Sequence, residues 1–213
     1  MSDDGRLAPE TITDEAALRA CYPAQSELSR LKELDHIDQH CRNFIALSPF
    51  LVIGSTRPGV GTDVSPRGDQ PGFVRVLDDR TLAIPDRPGN NRLDTLSNLV
   101  AEAEVGLLFF VPGIEETLRV NGRASLSRDP ELLAGSVMDR KLPRMMVMVA
   151  VRQVFFHCGK ALIRSRLWRD DHKVERASFP TLGRIIIEQA KPAGTTAEQA
   201  EQRIARSYKE NLY

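Results

Sequence analysis

"TDVSPRGDQPG", residues 62–72, separates two apolar runs, "PFLVIGS" (49–55) and "FVRVL" (73–77). An ordinary hairpin connection takes two to five residues, and this stretch is longer. It also carries Ser65, Arg67 and two glycines. Read as an interstrand loop, it leaves six β-rich runs in the chain. Were it extended, Ser65 and Arg67 would point to one face, because strand side chains alternate with period two. A hydroxyl beside a guanidinium grips a phosphate or a carboxylate. A solvated polar loop is the plainer alternative.

The six runs are "FLVIGS", "FVRVL", "TLAIP", "VGLLFFV", "TLRVNGRASLS" and "MMVMVAVRQVFFHC". They are rich in β-branched and aromatic residues and have strand length or slightly more. "RPGVG", "LDDRT" and "VPGIEE" supply the turns, and Asp78-Asp79-Arg80 closes a hairpin between "FVRVL" and "TLAIP". "NNRLDTLSNLVAEAEV" interrupts the strands with a helix. Leu93, Leu96, Leu99 and Val100 share its apolar face, and Asn90 or Asn91 is its expected cap. A shorter helix begins at Asp129, with Pro130 in the first helical position.

Both flanks read as helical. Thr13 is the expected cap of a first helix that stops at Pro23. Leu28, Leu31, Leu34, Ile37, Cys41, Phe44 and Ile45 then form one continuous stripe ended by Pro49. After His157 come "GKALIRSRLW", "SFPTLGRIIIEQAK", and a final helix opening on a Thr195–Glu198 capping box. Strands without alternating helices do not make a doubly wound fold. The expectation is a mainly β protein with flanking helices, built on a small six-stranded antiparallel barrel. The implied organisation is a helical extension over 1–48, the barrel over 49–168, and a helical segment over 169–213.

The 213 residues carry 29 basic and 29 acidic side chains, so no global field draws the chain to nucleic acid or to an acidic membrane. No apolar run reaches spanning length. The acidic start "MSDDGRLAPE" lacks a signal-peptide pattern. Cys21, Cys41 and Cys158 show no framework spacing, which suits free thiols in a reducing compartment, and a cytoplasmic location is expected. Sets such as GxSxG, HExxH, CxxC and the Walker loop are missing. His36 and His40 have metal-ligand spacing but no third ligand in view, and no metal is expected.

Three further segments bear on binding. In "IPDRPGNNRLDTL" (84–96) a strand ends, a turn follows and a helix begins. Helix N-termini attract anions, and Arg87 and Arg92 flank this one; simple capping is the alternative. In "EETLRVNGRASL" (115–126), Thr117 and Arg119 share a polar face, and Arg123 reads as surface. In "FFHCGKALIRSRLW" (155–168), Lys160, Arg164 and Trp168 are four apart and would share a helical face. That stripe meets either a phosphate and an aromatic ring or the barrel wall.

Taken together, the helical extension, "DVSPRGD", "PDRPGNNRLDTL", "LRVNG" and "HCGKALIRSRLW" resemble the pyridoxamine phosphate oxidase-like family of FMN-binding split barrels. More narrowly, they look like a bacterial subgroup described as probable FMN-dependent enzymes. The resemblance spans roughly Phe50 to Trp168. It implies a homodimer with FMN in a cleft between subunits and a small-molecule substrate. It also implies cofactor contacts at Ser65, Arg67, Ile84, Pro85, Arg87, Asn90, Asn91, Arg92, Leu93, Thr117, Arg119, Lys160 and Trp168. Where the oxidase has a Ser-Arg-Lys run, this chain has Asn90-Asn91-Arg92, and the oxidase's Arg-x-His substrate element is absent here. The implied activity is therefore an FMN-dependent oxidoreductase of unassigned substrate. A true pyridoxamine phosphate oxidase, or a non-catalytic flavin, haem or deazaflavin binder, is the alternative.

Overall fold

The computed structural model describes residues 11–213. By internal contacts the chain divides after Glu33. In the first unit, α1 (Glu15–Ala20) and α2 (Glu27–Leu31) are short helices with no buried side chain. Asp14, not Thr13, caps α1, its carboxylate accepting from the Ala17 N–H at 2.8 Å.

The second unit contains a single antiparallel sheet of seven strands. They are β1 (Phe50–Arg57), β2 (Gly61–Gly68), β3 (Arg75–Val76), β4 (Thr81–Pro85), β5 (Glu104–Phe110), β6 (Thr117–Ser127) and β7 (Met146–His157). Their order is β2-β1-β5-β6-β7-β4-β3. This is a split β-barrel, and β2 and β3 are the edges of its ladder. The sequence reading of six strands is corrected here. Residues 61–68, read as loop, form β2 and pair with β1 from Phe50↔Gly68 to Arg57↔Gly61. The turn is only Pro58-Gly59-Val60, with the Val60 N–H donating to the Arg57 carbonyl at 3.0 Å. The segment's polarity hid the strand, because an edge strand with one wet face need not look apolar.

The helices of this unit are α3 (Gln39–Leu47), α4 (Asp94–Ala101), α5 (Pro130–Ala134), α6 (Lys160–Ser165), α7 (Leu182–Ala190) and α8 (Ala197–Glu210). The single stripe expected from Leu28 to Ile45 is broken. Leu34 sits in a β-bridge with Val154, exchanging N–H···O bonds of 2.9 and 2.8 Å, and Asp38 caps a new helix by accepting from the Cys41 N–H. Leu28 and Leu31 are exposed, whereas Ile37, Cys41, Phe44 and Ile45 are buried. Cap chemistry and strand pairing outweigh periodicity here. Burial, followed by the Asp38 contact, pushes the Cys41 thiol up to about 12, leaving it without thiolate character. The capping box of α8 is likewise one residue along, at Thr196 and Gln199.

The core lies between the inner sheet face and helices α3 and α4. Leu51, Ile53, Leu82, Ile84, Leu107, Phe109, Leu118, Val120 and Val149 are almost fully buried. Phe44 packs edge-on to Phe156 at 5.3 Å between ring centres. Two buried hydroxyls are satisfied within the fold. Ser48 donates toward the Phe50 and Phe110 carbonyls, and Ser55 accepts from Asn98 Nδ2 at 3.1 Å.

The β6–β7 ladder is the longest, and its register shifts between Asn121 and Gly122. A Cβ at Gly122 would stand 2.2 Å from the Ala150 carbonyl oxygen and 3.2 Å from Val149 Cγ1. Backbone cannot yield as a side chain does. Gly122→Ala is expected to cost about 1–3 kcal/mol of stability, read as a lower urea midpoint with an unchanged m-value.

Candidate functional site

The site begins with the alternation of β2. Thr62, Val64 and Pro66 face solvent, while Asp63, Ser65 and Arg67 are half-buried on the inner side. Arg67 Nη1 donates to Ser65 Oγ at 2.6 Å and to the Pro66 carbonyl at 2.8 Å. The expectation that Ser65 and Arg67 share a face is met by the strand itself.

Opposite them runs the segment from Pro85 to Thr95. It leaves β4 where the Asp86 N–H donates to the Met145 carbonyl at 2.9 Å. It enters α4 through two left-handed residues, Asn91 at φ 59° and Leu93 at φ 62°. For leucine that conformation costs of order 1–3 kcal/mol and recurs at binding sites. Neither Asn90 nor Asn91 caps α4, contrary to the sequence reading. Leu93 occupies the cap position without a side-chain bond, and the Asn90 carbonyl oxygen Oδ1 instead accepts from the Arg92 N–H at 3.0 Å. Of the four-residue stripe expected on α4, Leu96 and Leu99 are buried, but Leu93 and Val100 are exposed.

Between β2 and this segment lies a cavity of about 630 Å³, within the range of small-molecule and cofactor sites. Of the expected site residues, Ser65, Arg67, Pro85, Arg87, Asn90, Asn91, Arg92 and Leu93 line it. Ile84 lies one residue away in the core. The other four lie elsewhere. Thr117 is buried at the start of β6. Arg119 is on the outer sheet face, 5.3 Å over the Phe155 ring. Lys160 is exposed on α6. Trp168 shares no helical stripe with it, because α6 ends at Ser165 in a left-handed turn at Arg166. The Trp168 indole donates to the Ile114 carbonyl at 2.9 Å, so this ring packs on the barrel.

Four arginines and three aspartates line the cavity: Arg67, Arg87, Arg92 and Arg144 against Asp63, Asp86 and Asp94. Arg92 is exposed and paired with Asp94 at 2.7 Å, which raises its pKa. Arg87 is paired with Asp69 at 2.6 Å, and both side chains are buried or nearly so. Thr95 Oγ1 donates to Asp63 at 3.0 Å. Burial lowers the pKa of Arg67, opposed by Asp86 and Asp63. Burial raises that of Asp86, opposed by Arg67 and Arg144. Sequence reasoning missed Arg144, Met145 and Asp86. Arg144 and Met145 come from the approach to β7, held to this wall by the Pro85↔Met146 pairing, the Asp86–Met145 bond and an Arg144 Nη1 bond to Asn91 Oδ1 at 3.4 Å. Asp86 sat in the quoted turn, but its carboxylate gave no periodic signal.

Residues 37–158 match the family described as "Pyridoxamine 5'-phosphate oxidase". The chain belongs to the pyridoxamine 5'-phosphate oxidase family. The matched region holds the whole sheet and the cavity, and it stops short of Lys160 and Trp168. Among solved structures, the chain is similar to HupZ of Group A Streptococcus, at 14% identity over 57% of this chain and 99% of that one, TM-score 0.47. It is also similar to a putative pyridoxamine 5'-phosphate oxidase from Lactobacillus delbrueckii, at 18% identity over 58% and 98%, TM-score 0.45. A third is an FMN-binding protein from Syntrophomonas wolfei, at 12% identity over 55% and 83%, TM-score 0.44. No curated protein matches the chain.

Asp86 gives the site a pH signature. Its folded pKa lies above the ordinary value, so the native state favours the protonated form. The penalty is absent below the ordinary carboxylate range and grows as pH rises through the raised value. Asp86→Asn should therefore raise the Tm at pH 7, measured without added ligand. That gain should vanish as the pH falls to about 4. An equal gain at both pH values would contradict this account.

Proposed function

We propose that the protein binds FMN in this cavity and acts as an FMN-dependent oxidoreductase on a small-molecule substrate. The observation that supports it is the Ser65–Arg67 pair on β2 facing the arginine-bearing turn before α4. Only Nη1 of Arg67 has a hydrogen-bonding partner among the described residues. The rest of its planar fork is available to a phosphate. Arg144 stands on the same cavity wall, and the first N–H groups of α4 add dipole character toward an anion.

The residues present fit the cofactor's two ends. Ser65, Arg67 and Arg144 would hold its phosphate by charge-assisted hydrogen bonds. Pro85, Phe73, Leu126 and Met145 give the cavity an apolar side suited to a flat ring system. Pro85 itself contributes only a carbonyl acceptor. Bound FMN would supply the hydride chemistry, while the protein positions it and controls its surroundings. Near neutral overall, the lining would accept a phosphate mainly by displacing existing pairs: Arg92 from Asp94, and Arg67 from the influence of Asp86.

The homodimer belongs to the same proposal. The outer sheet face carries Phe50, Val52, Leu108 and Phe110 in register, with Phe50 and Phe110 rings 6.1 Å apart, and Phe155 beyond Arg119. These side chains are half-buried or, for Phe50, exposed in the single chain. A contiguous apolar patch of this kind marks an interaction surface. In this reading Arg119, on that outer face, serves the cavity of a second copy rather than its own. No helix among the described residues is long and apolar enough to cross a membrane.

Titration with FMN, followed by flavin fluorescence, tests the proposal. Arg67→Ala is expected to weaken binding by about 1–3 kcal/mol, or roughly 5- to 150-fold. Arg92→Ala should cost less, about 1 kcal/mol or below, because it is exposed and already paired. An unchanged FMN dissociation constant in Arg67→Ala would remove the phosphate reading.

A further inference from the structure

Among the cavity arginines, Arg87 is the one whose carboxylate partner is sealed from water. Asp69 Oδ2 accepts from Arg87 Nε at 2.6 Å, and the Asp69 side chain has no exposed surface. Its other oxygen, Oδ1, accepts from the Gln70 N–H at 2.7 Å and from the Tyr213 hydroxyl at 3.0 Å. The Tyr213 ring also lies under the Arg87 guanidinium, 5.7 Å from its carbon to the ring centre. Tyr213 thus touches both members of the buried pair, from 144 residues away in sequence.

Tyr213 is itself fastened on a second side. Lys141 Nζ donates to the Tyr213 carbonyl at 2.6 Å and to that of Glu210, the last residue of α8, at 3.4 Å. Lys141 stands three residues before Arg144, which lines the cavity. The Asp69 hydrogen bond holds the Tyr213 hydroxyl above its ordinary pKa. It therefore stays a donor through the neutral range. Tyr213 thus joins Asp69, just past the end of β2, to Arg87 on the cavity wall and to Lys141.

We propose that Tyr213 is a positioning residue for the cavity: it closes the Asp69 carboxylate on Arg87, and so couples the docking of α8 to occupancy by an anionic ligand. The proposal rests on the anion-site reading above. The physical reasoning is that a buried ion pair keeps its geometry only while its remaining lone pairs are satisfied. Tyr213, together with the Gln70 N–H, satisfies Oδ1 of Asp69, which leaves Oδ2 to fix Arg87 at its Nε on the cavity wall. Coupling between two sites is reciprocal, so a ligand that needs Arg87 in place must tighten the docking of α8 by the same factor.

The test combines FMN titration with hydrogen exchange over residues 197–213, on the full chain. Tyr213→Leu removes hydroxyl and ring, and is expected to weaken FMN binding five- to twentyfold. Tyr213→Phe keeps the ring under Arg87 and should lose only part of that. In Arg87→Ala, adding Tyr213→Leu should cost nothing more, since both act through one contact. FMN should slow exchange over 197–213 in the wild type and not in Arg87→Ala. Wild-type affinity in Tyr213→Leu, or additive losses in the double variant, would overturn the proposal while leaving the anion site standing. If the wild type binds no FMN, the anion-site reading fails instead. Exchange without ligand then decides the anchor: Arg87→Ala should speed exchange over 197–213, and unchanged protection would overturn it.

Discussion

The β6–β7 ladder is the constraint on which the remaining structure depends. One of its flanks carries β5, β1 and β2; the other carries β4 and β3. The two walls of the cavity, β2 on one side and the end of β4 on the other, belong to these separate halves. Their relation is set by the pairing of the two long central strands, by α4, which packs against β1, β2 and β6, and by the Asp69–Arg87 pair. The shift at Gly122 allows the ladder to continue from Asn121↔Gln153 to Gly122↔Val151 while the sheet bends.

Within that frame the site is a problem of charge compensation. Arginines gathered around one cavity repel each other, and each tolerates its neighbours only with a counter-charge nearby. The fold supplies counter-charges of different strength. Asp69 is buried and holds Arg87 in place. Asp94 is exposed and holds Arg92 loosely. Asp86 carries an unfavourable burial that Arg67 and Arg144 offset only in part. Such a gradient lets an incoming anion replace the weak pairs and keep the strong one as scaffold.

Most of the fold was legible in the sequence because apolar runs of strand length and a hairpin turn at Asp78-Asp79-Arg80 follow from local chemistry alone. The Arg80 N–H does bond Asp78 Oδ1 at 2.7 Å. Asp129 and Pro130 likewise begin α5 as their types dictate. The edge strand β2 was not legible. Its outward positions are Thr62, Val64 and Pro66 and its inward ones Asp63, Ser65 and Arg67, so neither face is consistently apolar. The cavity's first half was readable from Ser65, Arg67 and the turn at 85–93. Arg144 and Tyr213 were not, because long-range pairing brings them there and no spacing encodes it. The shared face of Lys160, Arg164 and Trp168 failed for a related reason: periodicity counted past Ser165 after the helix had ended.

Pro66 has a consequence for the molecule's surface. A proline in a sheet belongs to an edge, where its missing N–H leaves a gap in the outward row of donors. With Pro66 in the middle of β2, a further strand adding to that edge would find its ladder interrupted. The same residue whose carbonyl steadies Arg67 therefore guards against strand-by-strand growth into aggregates. The binding strand can stay polar and accessible at the cavity without offering itself as a template for other chains.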